Sequence, residues 1–253
     1  MVVLGSSSSG NSTLVETEGA SVLVDAGFSC REITRRMSAV GADPRELKAV
    51  IVTHEHTDHV RGVPVLARRY DLPVLATAGT LRAAALDLRG LRLEPRTPGE
   101  PFGAGPFEVT LVPIPHDAAE PAAVSLAANG RRMMVATDIG RFPFSLVEHA
   151  QDMDALVLES NHDEAMLRTG PYPEFLKRRI RGPKGHLSNV ESATALRSLL
   201  GPRTRAVLLA HLSQRNNTEE LALRTVLDGV PAPMRQRVDI RTTAPHRSET
   251  VEL

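Results

Sequence analysis

Short apolar runs bounded by glycine, aspartate and proline recur along the chain, and this pattern is typical of β-strands. The runs predict strands at Val2–Leu4, Ser21–Val24, Ala49–Val52, Pro73–Ala76, Phe107–Pro113, Val124–Ala127, Arg132–Ala136, Ala155–Leu158 and Ala206–Ala210. Helical periodicity predicts helices near Arg31–Val40, Val60–Tyr70, Thr80–Leu88, Glu164–Arg179, Asn189–Leu200 and Thr218–Leu227. Strands and helices mixed in this way indicate sheets covered by helices.

Local signals mark one turn and two helix starts. Asn129-Gly130 separates two predicted strands and is typical of a β-hairpin turn. Ser188 with Glu191, and Asn217 with Glu220, have the spacing of a capping box. These pairs therefore predict where the last two helices begin.

Several predicted strands lead directly into a histidine or an aspartate. The residues delivered in this way are Asp25, His54, His116, Asp138 and His211. Because strand ends at one edge of a sheet can converge, we expect these side chains to share one cleft.

The segment His54-Glu55-His56-Thr57-Asp58-His59 is the densest cluster of possible metal ligands in the chain. Imidazole and carboxylate groups suit zinc, manganese and iron. His54 and His56 are two positions apart, so they fit a loop better than one face of a helix. Together with the later strand-end residues, the set is large enough for two metal ions that share a carboxylate. His149 and His246 lack such neighbours, and we interpret both as surface residues.

Composition narrows the class of protein. The chain has 253 residues, of which 42% are hydrophobic, and we expect one domain over residues 1–253. The formal net charge is zero, so the whole protein exerts no electrostatic pull on nucleic acid. Cys30 is the single cysteine, no basic leader precedes Val2, and no apolar run is long enough to span a membrane. We therefore expect a cytoplasmic protein without a membrane partner.

The metal motif and its spacing resemble the metallo-β-lactamase superfamily, from Asp25 to His211. The resemblance implies an α/β (α+β) fold, a four-layer αββα sandwich with the metals at one edge. It also implies two divalent ions, one held by His54, His56 and His116, the other by Asp58, His59 and His211, with Asp138 as the bridge. Asp25 would fix the orientation of the histidine loop, although an ordinary aspartate in a turn is the alternative.

The last third of the chain resembles ribonuclease Z-type phosphodiesterases. The matching elements are Gly185-His186-Leu187-Ser188-Asn189 before a helix and His211-Leu212-Ser213-Gln214-Arg215 after a strand. The resemblance implies that His186 contacts the scissile phosphate or the leaving oxygen. Its position before a helix N-terminus also suits an anion. A histidine with no role at a loop-to-helix junction is the alternative.

The chain as a whole resembles a narrower family, the YycJ/WalJ group of bacterial metallo-hydrolases. The matching segments are Gly5–Thr13, Thr53–His59, Pro115–Ala118, Ala136–Gly140, Glu159–Asp163, Gly170–Pro173, Lys184–Asn189 and His211–Asn217. This resemblance implies a 5′-to-3′ exonuclease of double-stranded DNA in DNA repair, with Mn²⁺ or Zn²⁺. Asp58 and His186 would be catalytic. The expected substrate contacts are Ser8, Asn11, Lys184, Ser188, Ser213 and Arg215, whereas His162 has no assigned role.

Several alternatives remain open. The basic run Lys177–Lys184 could follow a nucleic-acid backbone or be a solvated helix face. The same metal motif occurs in hydrolases of small thioesters and lactones and in RNA-processing nucleases. A metal-stabilised interaction protein without catalysis is a further possibility. A β-CASP insertion would not fit between Asp138 and His211, and the chain has no long Gly/Pro-rich arm for transfer RNA.

Overall fold

A computed structural model describes residues 1–84 and 90–253, and its strands form two seven-stranded mixed sheets. The first sheet has the order β14-β1-β2-β3-β4-β5-β6. Its strands are β1 (Val2–Ser7), β2 (Gly10–Thr17), β3 (Ala20–Val24), β4 (Leu47–Ile51), β5 (Pro73–Thr77), β6 (Arg92–Arg96) and β14 (Glu249–Thr250). The pairs from β3 to β6 are parallel, and β1 to β3 are antiparallel.

The second sheet has the order β13-β12-β11-β10-β9-β8-β7. Its strands are β7 (Phe102–Ala104), β8 (Phe107–Pro113), β9 (Ala122–Ala128), β10 (Arg131–Ala136), β11 (Ala155–Glu159), β12 (Ala206–Ala210) and β13 (Asp239–Thr242). β10 to β13 are parallel, and β7 to β10 form antiparallel hairpins. The predicted hairpin at Asn129-Gly130 is confirmed, since both residues have positive φ angles between β9 and β10.

Helices cover the outer faces of both sheets. They are α1 (Cys30–Ala39), α2 (Thr57–Val60), α3 (Val63–Tyr70), α4 (Ala78–Ala83), α5 (Phe144–Ala150), α6 (Glu164–Thr169), α7 (Glu174–Ile180), α8 (Asn189–Leu199), α9 (Glu219–Gly229) and α10 (Ala232–Arg235), with a 3₁₀ turn at Pro44–Glu46. Across residues 1–84 and 90–253, no helix has the length and hydrophobicity that a membrane crossing needs.

Alternation along the strands divides the core into three layers. In β3, Val22 and Val24 face the second sheet, whereas Leu23 packs among the outer residues beneath α1 and α3. In β11, Val157 faces the first sheet and Leu156 packs beneath α5 and α8. A period of two with both faces apolar is what a strand buried on both sides requires. The expected αββα sandwich is therefore confirmed.

The predicted helix Glu164–Arg179 is wrong, because the chain forms two helices there. The segment Gly170-Pro171-Tyr172-Pro173 separates α6 from α7. Proline has no backbone N–H and disfavours a helical conformation in the residue before it, so two prolines in four residues end the first helix. This break places Tyr172 at the functional site.

One other helix start also differs from expectation. Thr218, not Asn217, is the N-cap of α9, and its hydroxyl accepts a hydrogen bond from the backbone N–H of Leu221. The Asn217 side chain is instead buried and donates to the carbonyls of Ser160 and Asn161. Ser188 forms the predicted capping box with Glu191. Residues 85–88 of the predicted helix at 80–88 lie outside the described residues.

The inter-sheet core sets the stability of the sandwich. Phe107 is 1% exposed and packs between the sheets. We expect Phe107→Ala to lower the free energy of unfolding by about 3–5 kcal/mol, because it removes apolar contacts and leaves a cavity. Urea denaturation would measure this change. Phe144→Ala is the matched control, since Phe144 is 79% exposed, and it should shift stability by at most about 0.5 kcal/mol. Equal effects of the two changes would contradict this core assignment.

Candidate metal centre

Polar residues at the carboxyl ends of strands from both sheets meet in one place. Asp25 follows β3 and His54 follows β4 in the first sheet, whereas His116, Asp138 and His211 follow β8, β10 and β12 in the second. Their side chains are all buried. The convergence expected from the strand-end pattern is therefore confirmed.

Three of these strand ends have an unusual backbone. Asp25, Asp138 and His211 have φ angles of 61°, 61° and 56°, in the left-handed region. This region costs energy for residues other than glycine, and such residues cluster at functional sites. The turn it produces directs each side chain across the end of its strand.

The first group of possible ligands consists of His54, His56 and His116, whose ligand atoms lie within 4.8 Å of one another. His54 and His56 lie on the loop after β4, with 3.0 Å between His54 Nε2 and His56 Nδ1. His116 Nδ1 donates to the carbonyl of Gly185 over 3.1 Å. That bond fixes the ring and leaves Nε2 as the available ligand atom.

The second group consists of Asp58, His59 and His211, again with ligand atoms within 4.8 Å. Asp25 accepts from His59 Nδ1 at 2.8 Å and from the backbone N–H of Thr53 at 2.9 Å. Asp25 therefore holds the His59 ring and anchors the loop after β4.

Asp138 lies between the two groups. Its Oδ2 is 3.2 Å from His59 Nε2, and its Oδ1 is 3.7 Å from His116 Nε2. A third distance, from Oδ1 to His211 Nδ1, is 3.4 Å. The Asp138 carboxylate is thus within 3.7 Å of histidines from both groups, which is the position that a shared ligand needs.

Unpartnered buried atoms test whether these residues fit a divalent cation. Among the described residues, His116 Nε2, Asp138 Oδ2 and His211 Nε2 are buried without a hydrogen bond. Buried polar atoms are nearly always satisfied by a partner, and an ion is one of the few explanations for several orphans in one place. A donor set of imidazole and carboxylate is what zinc, manganese and iron prefer. The residues therefore fit a divalent metal site.

The pKa shifts differ between the two groups of histidines. Burial lowers the pKa of His54 and His116, which favours the neutral imidazole that binds metals. Burial alone would also lower the pKa of His211, but Asp138, Asp58 and Glu159 outweigh it and raise that pKa to about 10. Burial would raise the pKa of Asp138, but nearby histidines hold it well below its usual value. The centre is thus built to hold positive charge beside ionised carboxylates.

Glu159 contacts the centre but is absent from the predicted site residues. It ends β11, is 0% exposed, and accepts from His186 Nδ1 and His211 Nδ1, both at 2.9 Å. It also accepts the backbone N–H groups of Ile139 and Leu187. Burial would raise its pKa, but His186 and His211 lower it to about 2. The signal was present in the sequence, since Glu159 follows an apolar strand as the other site residues do.

A cavity of about 250 Å³ opens over the centre. It is lined by Ser8, His56, Asp58, His116, Asp138, Asn161, Tyr172, Leu176, Arg179, Ile180, Lys184, Gly185, His186, His211 and Ser213. The structure thus brings Ser8, Lys184 and Ser213 to the cavity together with both expected catalytic residues. Asn161, Tyr172 and Leu176 were not foreseen, whereas Arg179 and Ile180 belong to the basic run Lys177–Lys184.

Other expected substrate contacts lie elsewhere. Ser188 is buried, caps α8 and donates to Glu164. Arg215 is exposed and does not line the cavity. Asn11 is buried and lies 3.1 Å from His59 Nε2, so it contacts the metal ligands rather than the opening. His162 is buried away from the cavity lining.

The basic run Lys177–Lys184 was interpreted either as a nucleic-acid contact or as a solvated helix face, and its members differ in position. Lys177 is buried, and its Nζ donates to the carbonyl of Arg168. Arg179 and Lys184 line the cavity, and Arg179 also pairs with Asp117. Arg178 and Arg181 are exposed and outside the lining. Only part of the run therefore adds positive charge at the site.

Comparison with known proteins agrees with this geometry. The family model of the beta-lactamase superfamily domain matches residues 20–212. The chain belongs to the beta-lactamase superfamily. The Exodeoxyribonuclease YycJ of Bacillus anthracis is 37% identical over 227 residues, which cover 88% of this chain and 86% of the relative. The Exodeoxyribonuclease WalJ of Streptococcus pneumoniae is 34% identical over 231 residues, which cover 89% and 86%.

Solved structures show the same fold. The metallo-beta-lactamase fold protein YhfI from Bacillus subtilis aligns over 98% of both chains with a TM-score of 0.73 and 16% identity.

The resemblance to the YycJ/WalJ group is confirmed by the curated relatives. The protein is accordingly an enzyme, a metal-binding hydrolase of the beta-lactamase superfamily.

The contact between Asp25 and His59 yields a prediction. We expect Asp25→Asn to lower metal affinity by roughly 10–100-fold while the fold is retained, because His59 loses the carboxylate that orients it. Metal titration followed by chelator competition would measure the change. Asp71→Asn is a matched control, because Asp71 also has a positive φ (50°) but is exposed at the end of α3. Unchanged metal affinity in Asp25→Asn would remove Asp25 from the support of the centre.

Proposed function

We propose that this protein is a 5′-to-3′ exonuclease that degrades double-stranded DNA in DNA repair, with two divalent ions, Mn²⁺ or Zn²⁺. One observation carries the proposal: His186 shares the carboxylate of Glu159 with the ligand His211 and faces the cavity beside the centre. A metal centre with an adjacent histidine and the cations Arg179 and Lys184 suits a phosphodiester. The two curated relatives named exodeoxyribonuclease support DNA as the substrate.

The two groups of possible ligands support two metal sites. His54, His56 and His116 would hold one ion, Asp58, His59 and His211 the other, and Asp138 would bridge them. When bound, such ions lower the pKa of water and neutralise charge on the phosphate oxygens. The oxygen ligand Asp138 and the imidazoles accept either Mn²⁺ or Zn²⁺.

The remaining chemistry falls to groups of the chain. In hydrolysis, water attacks phosphorus, the bond to the leaving oxygen breaks, and one proton moves to that oxygen. Asp58 lines the cavity and would accept the proton of the attacking water. His186 would donate a proton to the leaving oxygen from Nε2, because Nδ1 is held by Glu159 at 2.9 Å. Glu159 thus sets the orientation of this histidine.

The alternatives differ in what they require of the cavity. A thioester or lactone has no anionic phosphate, so it would not use the cations Arg179 and Lys184 at the cavity. A metal-stabilised interaction protein would not need His186 fixed beside the centre. An RNA-processing nuclease would use the same groups, and it is distinguished by substrate alone.

End-labelled duplexes test the reaction directly. The purified protein, loaded with Mn²⁺ or with Zn²⁺, would be given duplex DNA labelled at the 5′ or the 3′ end. We expect labelled mononucleotide to be released first from the 5′ end. Parallel reactions would use RNA of the same sequence and a small thioester. Degradation of RNA alone, or of the thioester alone, would replace the proposal by the corresponding alternative.

Two substitutions separate metal binding from catalysis. We expect His186→Ala to retain the metals and lose roughly 10²–10⁴-fold in turnover, the usual contribution of a positioned acid or base. Asp138→Ala should lose metal and activity together. Metal content and single-turnover rates would be measured for both, with His149→Ala on α5 as the matched histidine control. If His186→Ala kept its rate within a few-fold, the role of His186 would be wrong.

A further inference from the structure

The cavity lining includes polar and apolar side chains. Ser8, Asn161 and Ser213 are among the polar ones. Tyr172, Leu176 and Ile180 come from one short stretch of the chain and are apolar or aromatic, and we call these three residues the apolar wall. Leu176 and Ile180 are four positions apart on α7, so they share one face of the helix. Water or a small inorganic anion would have no use for such a wall.

Tyr172 is held in place by a stiff segment. It lies between Pro171 and Pro173, whose rings fix their φ angles. A Cβ on Gly170 would meet Asn216 Oδ1 at 2.6 Å and the Met166 carbonyl at 2.6 Å, so only glycine allows this close approach. The backbone that presents Tyr172 to the cavity is therefore restrained, which reduces the backbone entropy that the segment would lose on binding a ligand.

The apolar wall is also fixed relative to the reacting groups. The backbone N–H of His186 donates to the carbonyl of Ile180 over 2.9 Å. Buried Lys177 ties α7 to the end of α6, because its Nζ donates to the carbonyl of Arg168 at 2.7 Å. The backbone of His186 is thus hydrogen-bonded directly to the end of the helix that carries the apolar wall.

We propose that the apolar wall is a subsite for one nucleobase, which stacks on Tyr172 while its phosphate lies over the metal centre. This proposal rests on the proposed function and names the part of the substrate that the cavity takes. A nucleotide joins a flat base to an anionic phosphate, and the lining of this cavity contains both the apolar wall and the possible metal ligands with Lys184. A cavity of about 250 Å³ suits one small ligand rather than a longer segment.

Packing in the hydrophobic core does not explain the position of Tyr172. A half-buried tyrosine in a wall usually completes a core, but Tyr172 is part of the cavity lining and belongs to no core cluster among the described residues. Stacking on an aromatic ring tolerates every base, because each base has a π-face. The subsite would therefore bind the terminal nucleotide whichever base it carries.

Binding can be tested without catalysis, because the chain has two tyrosines and no tryptophan. Tyrosine fluorescence of the metal-loaded protein would be followed during titration with thymidine 5′-monophosphate and, separately, with 2-deoxyribose 5-phosphate. We expect quenching by the nucleotide only, and no quenching in Tyr172→Phe, which retains only Tyr70. Calorimetry should show Tyr172→Phe binding the nucleotide nearly as wild type does, whereas Tyr172→Ala should lose roughly tenfold.

Turnover provides the second readout. Two duplexes would be compared, one with a normal 5′-terminal nucleotide and one whose 5′-terminal residue is abasic. We expect wild type to release the normal residue roughly tenfold faster, and Tyr172→Ala to lose this preference. Phe175→Ala is the matched control, because Phe175 is an aromatic residue on α7, close to Tyr172 in the chain, but is 67% exposed and outside the lining.

The outcomes separate the subsite from the proposed exonuclease activity. Equal rates on both duplexes in wild type, with no nucleotide-specific quenching, would overturn the subsite while the exonuclease stands. Nucleotide-specific quenching that Tyr172→Phe abolishes, without any duplex cleavage, would support the subsite and overturn the exonuclease. Quenching that persists in Tyr172→Phe would place the base near Tyr70 and overturn the subsite.

Discussion

The rest of the centre depends on the hydrogen bonds that the buried carboxylate of Glu159 accepts. A carboxylate with no exposure is costly unless several donors compensate it. Here, rings of His186 and His211 and two backbone N–H groups do so. These donors come from the ends of β10 and β12 and from the segment before α8. One side chain therefore joins a metal ligand to the histidine that faces the cavity.

A second buried carboxylate has a similar role in the first sheet. Asp25 holds His59 through Oδ2 and the loop after β4 through the backbone of Thr53. Both carboxylates stand at the ends of buried parallel strands, where side chains from neighbouring strands meet. The left-handed backbones of Asp25, Asp138 and His211 are compatible with this packing because the sheets fix the strands on both sides. Precise geometry at the edge thus rests on the rigidity of the two-sheet core.

Much of this arrangement could be predicted from the sequence because it follows from local rules. Alternating apolar strands and their charged ends located the ligand set from His54 to His211. Glu159 obeyed the same rule at the end of Ala155–Leu158, so it could have been found in the same way. The prolines at 171 and 173 likewise carried the signal for the break between α6 and α7, which apolar periodicity alone concealed.

The sequence by itself determined the layers of the fold, the ligand types and the strand ends that present them, since period, charge and capping are local properties. Only the tertiary structure decided which polar residues face the cavity. Ser188 and Ser213 look alike as serines near a histidine, yet Ser188 caps a helix inside the protein and Ser213 lines the opening. Lys177 and Lys184 likewise belong to one basic run, but packing buries the first and leaves the second at the site. Such distinctions arise from contacts between distant segments, which no local pattern encodes.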